Sequence, residues 1–176
     1  MPKLITPKSR FPDFDFPLVS GERFDLQDMD PPEAFTIIVA YRGLHCPKCK
    51  AQLQDIDPMV NSLSSKGYRV VAVSMDNESR AKQTVKDWEL KNIPVAYDMG
   101  LLSAKSFGLF ISDKRDGSEE PDIFSEPGIF VIKPDGSLYA QYIQNTPFGR
   151  PPLGDIIDGL EFVREHDYPT RGTSVA

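Results

Sequence analysis

The chain of 176 residues has only two cysteines, one tryptophan and two histidines, and it has no excess of positive charge. Each shortage excludes something. Two cysteines cannot staple a chain of this size. Cys46 and Cys49 are also so close that a bridge between them closes a tiny loop and constrains the unfolded chain little. Lys and Arg number 20 against 26 Asp and Glu, a formal charge of −6, so no basic face is available for phosphates and no nucleic-acid partner is expected. Apolar runs such as 36–41 and 70–73 fall far short of the roughly 20 residues that cross a bilayer. The N-terminus shows no basic segment followed by an apolar stretch and a cleavage site, so no membrane partner is expected and the reading is a cytoplasmic protein.

What is present suits a folded chain. Hydrophobic residues make up 40% and charged residues 26%, in the range of soluble globular proteins. No composition break divides the sequence. The expectation is a single domain over 1–176, with an arm at 1–10 and a tail at 167–176.

Both cysteines lie in Tyr41-Arg42-Gly43-Leu44-His45-Cys46-Pro47-Lys48-Cys49-Lys50. This stretch follows the β-branched run Thr36-Ile37-Ile38-Val39 and precedes a polar, helix-prone segment, which puts a dithiol where a strand becomes a helix. The unpaired N–H groups and positive dipole end of a helix N-terminus favour a thiolate over a thiol. Cys46 is then the nucleophile at the exposed helix end, with Cys49 one turn deeper as the resolving thiol. Pro47 suits the first helical position. Two other readings stand beside this one. In the first the cysteines are inert packing. In the second they are half of a zinc site, for which His45 and His166 are the only histidines on offer.

The rest of the chain alternates strands and helices. Residues 14–18 and 24–26 flank a turn and read as a short hairpin near a sheet edge, with Pro12 and Pro17 keeping it there. Residues 35–41 and 68–75 have the apolar pattern of strands covered on both faces. Leu53, Ile56, Val60 and Leu63 fall at helical spacing, with a bend expected at Pro58 and an end at Gly67. Asp76 to Ser79 is capping chemistry for a helix over 80–90. A short strand at 93–97 and a short helix at 101–110 follow. Residues 112–125 are polar and mixed in charge and read as a solvated loop, not a site. The hairpin 128–143 turns at Asp135-Gly136, Pro127 stands just before it, and 153–163 is a closing helix. Arg150, Pro151 and Pro152 shape the last loop, with no chemistry assigned. Strand, helix, strand, helix is the rhythm of an α/β sheet.

These parts in this order resemble a known family. They are the N-terminal Phe/Leu pieces, the strand ending at a cysteine-headed helix, Val71-Ala72-Val73-Ser74-Met75-Asp76, and Phe130-Val131-Ile132-Lys133-Pro134-Asp135-Gly136. Over roughly residues 11 to 165 the chain looks like the peroxiredoxin-like branch of the alkyl hydroperoxide reductase/thiol-specific antioxidant (AhpC/TSA) family. The resemblance implies a thioredoxin fold, with a central mixed sheet flanked by helices and an N-terminal β-hairpin extension. It implies an antioxidant thiol peroxidase in which Cys46 reacts with a hydroperoxide and Cys49 resolves the product to a redox-active disulfide. A thiol reductant such as a thioredoxin or glutathione would complete the cycle, with no cofactor, and a homodimer is possible.

The departures from the family are specific. Gly43 stands where typical peroxiredoxins carry Thr or Ser, and Pro127 where they carry Arg. Cys46-Pro47-Lys48-Cys49 with a proline at 127 is similar instead to thioredoxin-like disulfide reductases, in which that proline is cis and lies against the dithiol. Even there the acid that many thioredoxins place six residues before the first cysteine is here Ala40. A protein disulfide reductase, or a dithiol switch that binds a partner without turnover, is therefore carried alongside the peroxidase. Arg42 is the candidate replacement for the missing arginine, against a role in surface solubility. His45 exchanges protons with Cys46 or is merely solvated. Tyr41 reads as strand-end packing, and Lys48 and Lys50 as surface charge. Pro127 is read as a cis proline beside the dithiol on resemblance alone, against an ordinary strand-opening proline.

Overall fold

The computed structural model describes residues 5–175, and the two apolar runs form its centre. Strand β3 (Thr36–Ala40) is buried at every position and pairs parallel with β4 (Arg69–Val73) on one side. On its other side it pairs antiparallel with β8 (Gly128–Ile132), which forms the late hairpin with β9 (Leu138–Ile143). Strand β5 (Val95–Ala96) adds parallel to β4, giving a mixed five-stranded sheet in the order β5-β4-β3-β8-β9. A parallel pair such as β3 and β4 needs a crossover connection, and the helices that make it cover one face.

Alternation along β3 sends successive side chains to opposite faces. Ile37 and Val39 join Leu53, Ile56, Trp88, Ile156 and Leu160 on one side, whereas Ile38 and Ala40 join Phe11, Phe14, Phe107 and Phe130 on the other. The first face is covered by α1 (Pro47–Ile56), α2 (Val60–Ser65), α3 (Glu78–Asp87) and α5 (Leu153–His166). The expected bend at Pro58 is a 3-10 turn at Asp57–Met59 between α1 and α2. Asp57 holds this turn in place by accepting from the backbone N–H groups of Lys91, Asn92 and Ile93, just before β5.

The second face carries α4 (Leu101–Ser106) and the N-terminal segment. Strands β1 (Asp15–Pro17) and β2 (Arg23–Asp25) form the expected hairpin as a sheet of their own, tied to the edge strand by a bridge from Leu18 to Ala96. The arm is less detached than its polarity suggests. Ile5 and Phe11 are buried, and the Lys8 and Leu138 N–H groups bond across to Leu138 and Ser9 carbonyls, so residues 5–11 lie against the start of β9. The first four residues of that arm lie outside the described ones.

The polar stretch 112–125 departs from expectation. It contains the antiparallel pair β6 (Ile111–Asp113) and β7 (Ile123–Ser125) and returns a buried carboxylate, Glu120, toward the start of α1. Charge alternation alone marks a stretch as solvated. Here the acids have arginine partners in the fold, which makes their burial tolerable.

Candidate active site

Strand β3 ends at Ala40, and the backbone turns sharply through Gly43 at φ +136° before α1 begins. A Cβ at Gly43 would lie 2.8 Å from an Asp76 carboxylate oxygen, so both the dihedral and the space require glycine. Asp76 is buried and uses that closeness. One of its oxygens accepts from Leu44 N–H at 2.8 Å, and the other from Arg80 Nε at 2.7 Å. The loop is thus pinned by an acid that follows the neighbouring parallel strand, and position 43 has no room for a side chain.

Cys46 is the N-cap of α1. Its sulfur accepts from the Cys49 N–H at 3.1 Å, and Pro47 occupies the first turn as expected. Cys46 and Cys49 are joined as a disulfide, the spacing that one helical turn sets. The expected contrast between an exposed and a deep sulfur is not seen in overall burial, since Cys46 is 1% and Cys49 0% exposed. Packing of both against Leu53 and the sheet accounts for this. The contrast survives in another form, because Cys46 borders a cleft of about 680 Å³ that Cys49 does not reach. Arg42, His45, Pro47 and Lys48 line that cleft with Cys46, and Glu120, Pro147 and Phe148 lie across from them.

Arg42 reaches the dithiol only through its backbone. Its N–H lies 3.4 Å from Cys49 Sγ, while its guanidinium turns away. Arg42 Nε sits 3.0 Å from Glu126 Oε2 and its Nη2 lies 3.6 Å from Glu120 Oε1. The Nε approach pairs the charges without forming a well-directed hydrogen bond. The guanidinium also stacks over the Phe124 ring at 4.8 Å. Glu120 is tied further to Arg115, which donates to it from both backbone and side chain, and these bonds hold its carboxyl down at about 2. The guanidinium on the sulfurs is instead that of Arg150. Its Nη2 is 3.1 Å from Cys49 Sγ and 3.7 Å from Cys46 Sγ. Burial, with the Arg42 charge adding to it, lowers Arg150 to about 10, so it is still a cation at neutral pH.

His45 is half-buried against Phe124, with ring centroids 4.8 Å apart. Neither of its ring nitrogens has a hydrogen-bond partner among the described residues. Burial, and then the Arg42 charge, pull its pKa down to about 4, so it is neutral at physiological pH. Tyr41 is fully buried and packs edge-on against Trp88, the strand-end role expected of it. His166 ends α5 and stacks on Phe162, and no cluster of three or more metal-type ligands occurs among the described residues.

Pro127 is corrected. No cis peptide bond occurs among the described residues, so the bond before Pro127 is trans. Its carbonyl accepts from Gln144 N–H and extends the β8–β9 ladder, the ordinary task of a proline that opens a strand. The residue before it, Glu126, is what touches the site, through Arg42. Sequence reasoning missed Arg150, Glu120, Glu126 and Asp76. The one local signal for Arg150 is the Pro151-Pro152 pair directly after it, which stiffens the segment that carries it.

Comparisons with known proteins bear on the fold and the family. The chain superposes on a peroxiredoxin-like protein from Aquifex aeolicus at 14% identity, covering 92% of this chain and 89% of the other, with a TM-score of 0.72. It superposes on Enterococcus faecalis AhpC at 19% identity over 95% and 99% of the two chains, also with a TM-score of 0.72. A chain assigned as the thiol:disulfide interchange protein DsbE from Chlorobium tepidum matches at 18% identity over 90% and 97%, with a TM-score of 0.66. At these identities the superpositions establish the thioredoxin-like fold. Comparison with curated protein sequences finds no match. The sequence profile of the AhpC/TSA family does match, over residues 7–141, and with its dithiol at the head of α1 the chain belongs to that family as a peroxiredoxin-like thiol oxidoreductase.

Proposed function

We propose that the protein is a thiol peroxidase whose Cys46 reduces hydroperoxides and whose Cys49 resolves the product. The observation that carries this reading is that Cys46, alone of the two sulfurs, borders the cleft, while it caps α1 and lies within bonding distance of Cys49. The Cys46 thiolate attacks the terminal oxygen of a hydroperoxide and the O–O bond breaks. The alcohol or water leaves with a proton, and Cys46 is left as a sulfenic acid. Cys49 then displaces hydroxide from that sulfur to form the disulfide. Two thiols of a reductant such as a thioredoxin or glutathione return it to the dithiol.

The helix end and the Cys49 N–H support the Cys46 thiolate. His45 is neutral and its ring borders the cleft, but both ring nitrogens are covered, so we assign it to shaping the wall beside Cys46 and not to proton transfer. Arg42 acts at one remove, its backbone N–H on Cys49 and its charge shared with Glu120 and Glu126. Pro127 takes no part in the chemistry. We read 1–176 as one domain, because the arm and α5 pack on opposite faces of the same sheet. No described helix is long and apolar enough to cross a membrane, and a reducing compartment such as the cytoplasm suits a dithiol that must be regenerated.

Reduction of a protein disulfide is the second reading. It is favoured by Phe148, 63% exposed at the cleft rim beside Pro147, which offers an apolar contact for a polypeptide. Stopped-flow oxidation of the reduced protein by hydrogen peroxide, run beside insulin reduction, separates the two. Wild type is expected to react with peroxide orders of magnitude faster than a free thiol. Cys46→Ser abolishes that reaction, and Cys49→Ser retains the first step but stalls at the sulfenic acid. A peroxide rate no better than a free thiol's, together with rapid insulin reduction, assigns the second reading instead.

A further inference from the structure

The donors around the two sulfurs are unevenly shared. Cys46 has the helix end and the Cys49 N–H. Cys49 has the Arg42 N–H at 3.4 Å and, at 3.1 Å, the nearer approach of the Arg150 guanidinium, which is 3.7 Å from Cys46. Cys49 is otherwise fully buried among Leu53, Ile56 and the apolar face of the sheet, surroundings that hold a thiol protonated and unreactive. A cation placed there reverses that tendency.

The placement of the cation is over-determined. Arg150 donates through Nε to the Pro147 carbonyl at 2.8 Å, through Nη1 to Gln52 Oε1 and through Nη2 to the sulfur. Gln52 lies one turn beyond Cys49 on α1, so the helix that carries the resolving sulfur also carries the anchor of its arginine. Lys48, between the two cysteines, is exposed to solvent, and the more buried charged groups near the pair already have partners. Arg42 is with Glu120 and Glu126, and Asp76 is with Arg80 and the Leu44 N–H. His45 is neutral, and Glu126 is the carboxylate whose charge favours the Arg150 cation.

We propose that Arg150 is the catalytic donor of the resolving half-reaction, holding Cys49 as the thiolate that closes the disulfide and as the thiolate that leaves when a reductant opens it. The role rests on the dithiol cycle given above. In closure, an electron pair on Cys49 Sγ forms the S–S bond, the S–O bond of the Cys46 sulfenic acid breaks, and the hydroxide released takes a proton from solvent to become water. In reduction, a thiolate of the reductant attacks Cys46 Sγ from the cleft. The S–S bond breaks and Cys49 departs with the electron pair onto the Arg150 side. Thiol–disulfide exchange is faster when the leaving thiol has the lower pKa, so Arg150 also directs the incoming thiol to Cys46.

Titrating Cys49 alone tests this. In Cys46→Ser, the ultraviolet absorbance of the Cys49 thiolate is followed against pH with Arg150 intact, as Arg150→Met and as Arg150→Lys. Arg150→Met is expected to raise the midpoint by about one pH unit or more, and Arg150→Lys to restore most of it. In the full dithiol protein at neutral pH, Arg150→Met is expected to slow disulfide closure about threefold or more, the lost thiolate fraction being partly offset by the greater nucleophilicity of a more basic thiolate. A Cys49 midpoint unmoved in a folded Arg150→Met protein overturns the proposal, as does closure at the wild-type rate. Should Arg150→Met not fold, Gln52→Ala releases the Nη1 anchor and keeps the charge. It is expected to shift the midpoint in the same direction by a smaller amount, and an unmoved midpoint there overturns the proposal too. The titration involves no peroxide, so it stands or falls separately from the peroxidase reading. Closure can equally be driven with oxidised glutathione.

Discussion

Gly43 shows how tightly the approach to Cys46 is drawn. Its positive φ and the 2.8 Å gap from a hypothetical Cβ to Asp76 act together, so Gly43→Ala is expected to destabilise the protein by about 1–3 kcal/mol in urea unfolding. Adding Asp76→Ala relieves the collision but leaves the strained dihedral and orphans the Leu44 N–H, so the double variant is expected to remain below wild type. His45 yields a pH signature. Its imidazole is protonated below 6.5 in the unfolded chain but only below about 4 in the folded one. Between those values the unfolded chain holds more protons, so stability contributed by the neutral imidazole is present above about 6.5 and is lost as pH falls toward about 4. Urea midpoints at pH 7 and pH 5 are expected to drop more for wild type than for His45→Gln. Equal drops in the two proteins would mean that His45 is not held neutral. Both residues were visible in sequence as neighbours of the dithiol, but what surrounds each was not, because Asp76 and Phe124 arrive from other strands and loops.

Among the elements, α1 was the most legible. Its proline, its apolar spacing and its kink at Pro58 are local features, and the cap made by Cys46 is local as well. The β6–β7 hairpin was the least legible. Its acids resemble a solvated surface until Arg42 and Arg115 close on Glu120, whose side chain is 2% exposed while that of Arg115 is 78% exposed. A carboxylate this deep with two cationic neighbours is a fastening, and it secures the hairpin against the loop leading to Cys46. Glu120→Gln is expected to lower stability by about 1 kcal/mol and to raise amide exchange selectively over 111–125. Exchange unchanged in that segment would show that the hairpin is held by the Phe124 contacts alone. The direction of the Glu120 shift adds that this fastening loosens only in strong acid, as pH falls from about 4.5 toward about 2.

For the whole molecule, two apolar layers enclose one sheet, and the aromatic residues of the N-terminal segment supply much of the second layer. Phe11, Phe14 and Phe107 meet there at ring separations of 5.1 to 5.9 Å, which gives the arm and the hairpin a structural reason to stay on the sheet. The alternation of strands and helices, the family and the position of the dithiol at a strand-to-helix switch are legible along the chain. Those follow from periodicity, capping and short-range spacing, which act over a few residues. Which charge stands beside the sulfurs is settled by folding. Arg42, adjacent in sequence, is drawn off by Glu120 and Glu126, and Arg150, 101 residues from Cys49, takes its place. Folding also made Pro127 an ordinary trans strand-opener and brought the Asp76 carboxylate against Gly43. The physical reason is that the placement of a charge at short range depends on which partners the folded chain brings within a few ångströms, and no local pattern in the sequence encodes that choice.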